Sequence, residues 1–255
     1  MKSNAHSEMI PRLRASRGFT LVELMVALLI GIFLTAGILT LVGAMKRTTT
    51  AQTGLSQLQD NERIAMSLIT DLIQTAGYYP NPVVNGPTTF FLVTTTAPVF
   101  AAGQSITGYP ASTVGDTISL RYATSGTDNV IDCTGNTSTT QTSYTNTLSL
   151  DANGNLQCVL TNGAVTTTVQ LVSGLSNMQI LYGVRSNPSS TSNSVDAYLT
   201  ATQVTAGNYW SNVLSVKVTL TFPNPLAGAP GQTSIGATIP FTRVITVMNK
   251  TGVDS

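Results

Sequence analysis

The chain has 255 residues, with 12 Lys or Arg, 11 Asp or Glu and a formal net charge of +1. Only 9% of its residues are charged, whereas about 25% is typical of soluble domains. This near-neutral composition excludes a nucleic-acid binder that depends on a broadly basic surface. The length predicts one main globular body with an additional segment.

The additional segment is the apolar run Phe19–Val42, whose single charged residue is Glu23. As a helix it would rise roughly 36 Å, which is enough to cross a hydrocarbon core of about 30 Å. Basic residues before the run predict that its N-terminal end stays in the cytoplasm and that the rest of the chain is exported. They are Lys2, Arg12, Arg14 and Arg17, opposed by Glu8.

A secretory signal peptide is the competing explanation for this run. Such a signal has an apolar stretch of about 7–15 residues with a small-residue cleavage site after it. Here the run is longer and a small residue, Gly18, comes directly before it. A cut between Gly18 and Phe19 would remove the basic leader and leave the apolar helix in place. We therefore predict a retained membrane anchor.

The segment Gly18-Phe19-Thr20-Leu21-Val22-Glu23-Leu24 resembles the prepilin signature of type IV pilins and type II secretion pseudopilins. In that family a prepilin peptidase cuts after the glycine and methylates the new N-terminal amine. The resemblance therefore implies cleavage between Gly18 and Phe19, N-methylation of Phe19 and an assembly role for Glu23.

Two roles for Glu23 follow from its position. A carboxylate within an apolar helix costs roughly 2.5–3.5 kcal/mol on insertion scales, so it needs a partner. Thr20 and Glu23 match a capping box, in which the glutamate reaches back to free N–H groups at the start of the helix. The alternative, which the resemblance favours, is a bond to the Phe19 amine of a neighbouring subunit. The two roles are compatible in different states.

An amphipathic helical pattern continues beyond Lys46 and Arg47, and Gly77 with Pro80 provides the stop signal. We predict that its apolar stripe packs beneath a C-terminal sheet. The stripe consists of Leu55, Leu58, Ala65, Leu68, Ile69, Leu72 and Ile73.

From about Pro80 onward, Thr, Ser, Asn and Gly dominate, and short alternating runs predict β-strands. The predicted strands are 118–122, 148–150, 156–160, 178–184, 214–222 and 241–247. Asp151–Asn155 predicts a hairpin turn between two of them. The segments 80–111, 187–193 and 223–236 are predicted to be long loops.

Several pieces of the chain are similar to the PilW minor pilins within this family. They are the helix segment 62–78, the run 175–184, the pair Tyr209-Trp210 before 213–220, and the ending 241–250. Many relatives have a cysteine soon after the Gly-Tyr that ends the helix, where this chain has Tyr79-Pro80. A helix-to-sheet disulfide is therefore not expected.

The two cysteines, Cys133 and Cys158, both lie in the exported body. An even count in an oxidising compartment favours a disulfide, and two free thiols are the alternative. Closing a loop of about 25 residues would stabilise the fold by roughly 3–4 kcal/mol in the chain-entropy model.

No catalytic residue, metal or cofactor is predicted. The single histidine, His6, lies in the removable leader, so a Ser/His/Asp triad is excluded from the mature chain. Asp128 and Asp132 are interpreted as solvated loop carboxylates. Asp151, Asn153 and Asn155 have the spacing that opens a calcium loop. We interpret them as a β-turn, because the required glycine and bidentate glutamate are replaced by Leu156 and Asn162.

The sequence thus predicts an α+β, type IV pilin-like fold with a long N-terminal helix packed on an antiparallel β-sheet domain with long loops. The predicted parts are a leader (1–18), a transmembrane half-helix (19–42), an amphipathic outer half-helix (43–77) and a periplasmic β-rich body (78–255).

The predicted function is that of a minor pilin in the bacterial inner membrane and then in the pilus fibre at the cell surface. The family implies priming of assembly near the tip, twitching motility and adhesion. Expected partners are other minor pilins, the major pilin, a tip adhesin, the assembly platform and the prepilin peptidase. The alternatives are a type II secretion minor pseudopilin and a membrane-anchored module that binds DNA or glycan. Loss of motility on deletion, rather than loss of secreted enzymes, would favour the pilin.

Overall fold

The computed structural model describes residues 18–110, 114–187, 194–227 and 236–250. The basic leader residues therefore lie outside the described residues, as do most of the predicted loops 187–193 and 223–236. The helices in the described ranges are α1 (Leu21–Thr75), α2 (Pro87–Phe90) and α3 (Ala201–Ala206). The strands are β1 (Ile106–Tyr109), β2 (Thr117–Thr124), β3 (Thr142–Leu150), β4 (Leu156–Asn162), β5 (Val165–Val172), β6 (Asn177–Val184), β7 (Ala197–Leu199), β8 (Val213–Pro223) and β9 (Thr238–Thr246). The chain forms two compact units that divide between Thr50 and Ala51.

The first unit is the helical stretch that follows Gly18, and every described residue in it is exposed. By length and composition, α1 is able to cross a membrane. Its threonine hydroxyls turn back onto the helix: Thr35 donates to the carbonyl oxygen of Gly31 at 2.9 Å, and Thr40 donates to that of Gly37 at 2.7 Å. These hydrogen bonds satisfy the hydroxyl protons without an outside partner.

In the second unit, the part of α1 beyond Ala51 is amphipathic and packs into the body. This result confirms the predicted apolar stripe, whose members recur at spacings of three and four. The buried residues of α1 are Leu58, Ala65, Met66, Ile69, Leu72 and Ile73. The helix ends at Thr75, and Gly77 then adopts a φ of +83°, which favours glycine. The Gly77 N–H donates to the carbonyl oxygen of Arg121 in β2 at 2.8 Å.

The body contains two antiparallel sheets, where a single sheet was predicted. One has the order β1-β2-β3-β4-β5, and the other has the order β7-β6-β8-β9. The alternating runs located the long strands because alternation marks a half-buried strand. The same pattern carries no information about which strands pair, so it could not separate the two sheets.

A single hydrophobic core joins the outer part of α1 to both sheets. Met66 and Ile73 of α1 belong to the same cluster as Leu148 of β3 and Val218 of β8, and each is at most 1% exposed. This core confirms the α+β fold class, with a long apolar helix on antiparallel sheets.

Polar side chains of β2 are buried. Ser119 and Arg121 alternate with apolar residues, yet both are buried. Ser119 shares a hydrogen bond with Thr147 of β3 at 2.9 Å, and the loop that precedes β1 supplies the partners of Arg121. The Arg121 guanidinium donates to the carbonyl oxygens of Leu92 at 2.6 Å and Ala101 at 3.0 Å, and it lies over the Phe100 ring. Burial lowers the pKa of Arg121 to about 10.

Candidate functional site

The candidate assembly segment consists of Gly18, Phe19, Thr20 and Glu23, at the start of α1. Phe19 is 81% exposed, and Thr20 lies just before the first helical residue, Leu21. This local structure follows from the sequence, because threonine is a favoured N-cap and glutamate is favourable in the first turn.

Half of the predicted capping box forms. The Thr20 hydroxyl oxygen accepts a hydrogen bond from the Glu23 N–H at 3.3 Å, and the Leu24 N–H donates to the Thr20 carbonyl oxygen at 3.2 Å. Among the described residues, no group forms a hydrogen bond or ion pair with the Glu23 carboxylate. The threonine therefore caps the helix while the carboxylate remains available to another molecule.

The surface around Glu23 is apolar and uncovered. Leu21, Val22 and Leu24 are 76%, 69% and 60% exposed. A carboxylate placed in a nonpolar medium gains more from a cationic partner than one in water, because the interaction is less screened. This arrangement favours binding of a positively charged group at the N-terminal end of α1.

The structure contains a disulfide between Cys133 and Cys158, the pair named from the sequence, with Cα atoms 6.3 Å apart. Cys158 lies on β4 and is fully buried, whereas Cys133 lies in the loop that leads to β3. The bond therefore fixes this loop to the five-stranded sheet.

The Asp151 turn has the internal hydrogen bonding of a β-turn. The Asp151 carboxylate accepts from the Asn155 N–H and the Asn153 N–H at 2.8 and 2.9 Å, and from the Asn155 side chain at 2.8 Å. These bonds, with that of the Asn155 N–H the largest contribution, lower the pKa of Asp151. No set of three metal-ligating His, Cys, Asp or Glu side chains occurs in the described parts of the chain.

The interpretation of Asp128 and Asp132 as merely solvated carboxylates was wrong. Asp128 accepts hydrogen bonds from the Thr124 hydroxyl, from the Ser125 N–H at 2.9 Å and from the Tyr78 hydroxyl at 3.1 Å. Partial burial acts to raise the pKa of Asp128, but these hydrogen bonds outweigh it and bring the pKa to about 2. The residue ties the end of α1 to the loop.

Asp132 organises the next turn in the same way. Its carboxylate accepts from the Thr134 N–H and hydroxyl at 2.8 and 2.6 Å and from the Asn136 N–H at 3.1 Å. The Asp132-Cys-Thr134 spacing is a local turn signal that could have identified this role, because aspartate often bonds the backbone N–H two residues on.

Comparisons with known proteins give matches for two parts of the chain, the N-terminal segment and the body. The family model of the type IV pilus-assembly protein W matches residues 125–234, and that of the prokaryotic N-terminal methylation motif matches residues 13–39. Among solved structures, a type IV-like pilin from Thermus thermophilus is 12% identical over 76% of this chain and 96% of its own, with a TM-score of 0.43. No curated protein matches the chain. Residues 125–234 are therefore similar to the PilW family, and residues 13–39 match the N-terminal methylation motif.

Proposed function

We propose that this chain is a minor pilin of a type IV pilus, a membrane-anchored structural subunit that helps to prime pilus assembly and lies in or near the fibre tip. It would thereby support twitching motility and adhesion. The PilW match supports the pilus over a secretion pseudopilus. The proposal assigns the chain no catalytic residue and no cofactor.

One observation carries the proposal: the exposed apolar helix that bears the available Glu23 carboxylate next to Phe19. A run of exposed apolar side chains this long needs a cover of lipid or protein. Ile30, Phe33 and Leu41 are 55%, 81% and 58% exposed. In the proposed cycle, lipid covers these side chains first, and the helices of neighbouring subunits cover them in the fibre.

Glu23 would set the register of assembly. Cleavage after Gly18 by the prepilin peptidase would leave a methylated amine on Phe19, which keeps a positive charge. In an apolar surrounding, an ammonium and a carboxylate attract each other strongly, while an unpaired carboxylate is costly. An incoming subunit whose Glu23 meets the Phe19 amine of its neighbour satisfies both charges, and other alignments do not.

We propose a single-pass topology, with the leader in the cytoplasm and the body in the periplasm until the subunit enters the fibre. The proposed partners are other minor pilins, the major pilin, a tip adhesin and the inner-membrane assembly platform. The methylation motif supports the N-terminal processing, and the apolar helix supports the anchoring.

The test compares Glu23→Ala with Glu62→Gln in cells that assemble pili containing this chain. Glu62 is the matched control, because it is a carboxylate of the same helix that lies in the second unit. Both variants should be recovered from the membrane fraction at wild-type levels. Only Glu23→Ala should reduce the number of pili and disappear from sheared fibres.

Two results would overturn the proposal. One is a normal yield of pili that contain the Glu23→Ala chain. The other is a mature chain whose first residue, found by N-terminal sequencing, lies beyond Val42, because such a chain would have lost the apolar helix.

A further inference from the structure

A groove in the body has no role in the proposed assembly mechanism. It has a volume of about 730 Å³ and lies between α1, the loop that carries Cys133, and β5. Its lining includes Leu68, Leu72, Ile131 and Leu171, together with Asp71 and Asp128. We refer to it as the α1–loop groove. Its walls are largely apolar, and its charged side chains are acidic.

The walls of this groove are held in place. Leu72 is 8% exposed and belongs to the hydrophobic core, which anchors the helix side. The loop side is fixed by the Cys133–Cys158 disulfide and by the hydrogen bonds that Asp128 and Asp132 accept. A groove between fixed walls can bind a partner without a large ordering cost.

The groove carries a negative charge that its own lining does not neutralise. Asp71 is exposed, and its carboxylate has no hydrogen bond or ion pair with the described residues. Asp128 and Asp132 also line the groove, and no Lys, Arg or His is among its described lining residues. Asp128 is ionised at neutral pH because its pKa lies at about 2.

The charge of two of these carboxylates also acts on a buried tyrosine of β2. The Tyr122 side chain is 1% exposed, and its hydroxyl has no hydrogen-bond partner among the described residues. Burial raises the pKa of Tyr122, and the negative charges of Asp132 and Asp128 raise it further. The negative potential of Asp132 and Asp128 therefore extends to the Tyr122 hydroxyl.

We propose that the α1–loop groove binds an arginine or lysine side chain flanked by apolar residues, presented by another pilus subunit. The aliphatic stem would lie against Leu72 and Leu171, and the cationic head would lie between Asp71 and Asp128. Long basic side chains suit such a site because they bury the stem while they keep the head at charged groups. The identity of the partner as a pilus subunit rests on the proposed function, whereas the cation preference rests on the groove alone.

The test measures binding of three blocked, fluorescently labelled peptides to the full chain in non-ionic detergent micelles. They share the sequence Ala-Leu-X-Leu-Ala, with X as Arg, Gln or Glu. The Arg peptide should bind most tightly and the Glu peptide least. Binding of the Arg peptide should weaken as salt rises, because exposed charges are screened.

Asp71→Asn is the diagnostic variant, since the described residues make no bond to this carboxylate that its loss would break. It should weaken binding of the Arg peptide about two- to fivefold, the range expected for one exposed ion pair. It should leave binding of the Gln peptide unchanged. Asp60→Asn is the matched control, because Asp60 is an exposed carboxylate of the same helix outside the groove and should have no effect.

The proposal is overturned if the Arg and Gln peptides bind equally, if neither binds, or if Asp60→Asn and Asp71→Asn have the same effect. It is also overturned if Asp71→Asn changes the association state of the chain without added peptide, because the groove would then bind a second copy.

The groove proposal and the assembly proposal can fail separately. A failure of peptide binding with the expected Glu23→Ala phenotype would reject the groove alone. Cation-selective peptide binding with normal pili in the Glu23→Ala variant would reject the assembly role alone.

Discussion

The two units of this chain differ in whether their apolar side chains are buried. In the first unit, Phe33 is 81% exposed and Leu29 is 65% exposed, and none of its described residues is buried. In the second unit, Met66 and Ile73 of the same helix are at most 1% exposed and belong to a core shared with both sheets. The stability of the body therefore comes from contacts within the chain, whereas the apolar side chains of the first unit can be covered only by lipid or by other molecules.

This difference teaches that helix formation and burial have separate causes along α1. Backbone hydrogen bonds hold the helix in both units, while only the outer part has β-strands of its own chain to cover it. Substitutions that remove the same amount of apolar surface should therefore have different consequences in the two units, and this can be measured.

The largest expected effect comes from Ile73→Ala. Truncating a fully buried isoleucine should lower the free energy of unfolding of the body by about 2–5 kcal/mol, because it removes apolar contacts and leaves a cavity. Leu29→Ala is the matched change in the first unit and should shift this value by less than about 0.5 kcal/mol. Chemical unfolding of the full chain in micelles, followed by circular dichroism, measures both. Equal effects would contradict the separation of the two units.

The next effect concerns the disulfide that fixes the loop to the sheet. The double variant Cys133→Ala/Cys158→Ala should lower the free energy of unfolding by roughly 3 kcal/mol, because the unfolded chain regains the freedom of a loop of about 25 residues. Dithiothreitol should destabilise the wild-type body by a similar amount and leave the double variant unchanged. If dithiothreitol still destabilises the double variant, its effect on the wild type does not come from reducing this disulfide, and the prediction is wrong.

A smaller effect should appear as a pH dependence at Asp128. The folded state lowers the pKa of this group from 3.8 to about 2. Its ionised form therefore stabilises the fold above about pH 4, and this contribution is lost as the pH falls towards 2. The difference in the free energy of unfolding between wild type and Asp128→Asn should shrink over that interval. The pKa values of Asp151 and Asp196 are also lowered. These two groups are present in both the wild type and Asp128→Asn, so their contributions cancel in the difference. A difference that stays constant from pH 6 to pH 2 would rule out the Asp128 contribution.

The smallest effect should follow from Thr20→Ala, which removes the N-cap hydroxyl at a cost of about 1 kcal/mol to the first turn. Hydrogen exchange of the Glu23 and Leu24 amides in micelles should become faster, while unfolding of the body stays unchanged. Thr20→Ser keeps the hydroxyl and should retain the slow exchange. If Thr20→Ser exchanges as fast as Thr20→Ala, the hydroxyl is not the cap.

The sequence allowed the long elements to be predicted because they repeat a simple pattern. The apolar run, the stripe of α1 and the strands that became β2, β3, β4, β6, β8 and β9 all have a regular period. Five elements were missed, namely α2, β1, β5, β7 and α3; α2 and β1 lie in the segment 80–111, which was predicted to be a loop. Most are short, and β5 begins Val-Thr-Thr-Thr-Val, which has little alternation of apolar and polar residues.

The sequence could predict the candidate site only where its residues are close together in the chain. Gly18, Phe19 and Glu23 lie within a few residues of one another, so their spacing was visible in the chain. The burial of Arg121 was not, because its partners are the carbonyl oxygens of Leu92 and Ala101, which belong to a loop without a periodic signal. The groove was likewise not predictable, since Asp71 and Asp128 are far apart in the sequence and line the same groove only in the folded chain.

The threonines of the first unit have a consequence for how a subunit changes surroundings. Because Thr35 and Thr40 donate to carbonyl oxygens of their own helix, these two hydroxyl protons need no acceptor from outside the helix. In the proposed transfer from bilayer to fibre, these side chains would exchange one hydrocarbon neighbour for another and break no polar bond. In the proposed assembly, the alignment of subunits would therefore depend on the Glu23 carboxylate and not on these two threonines.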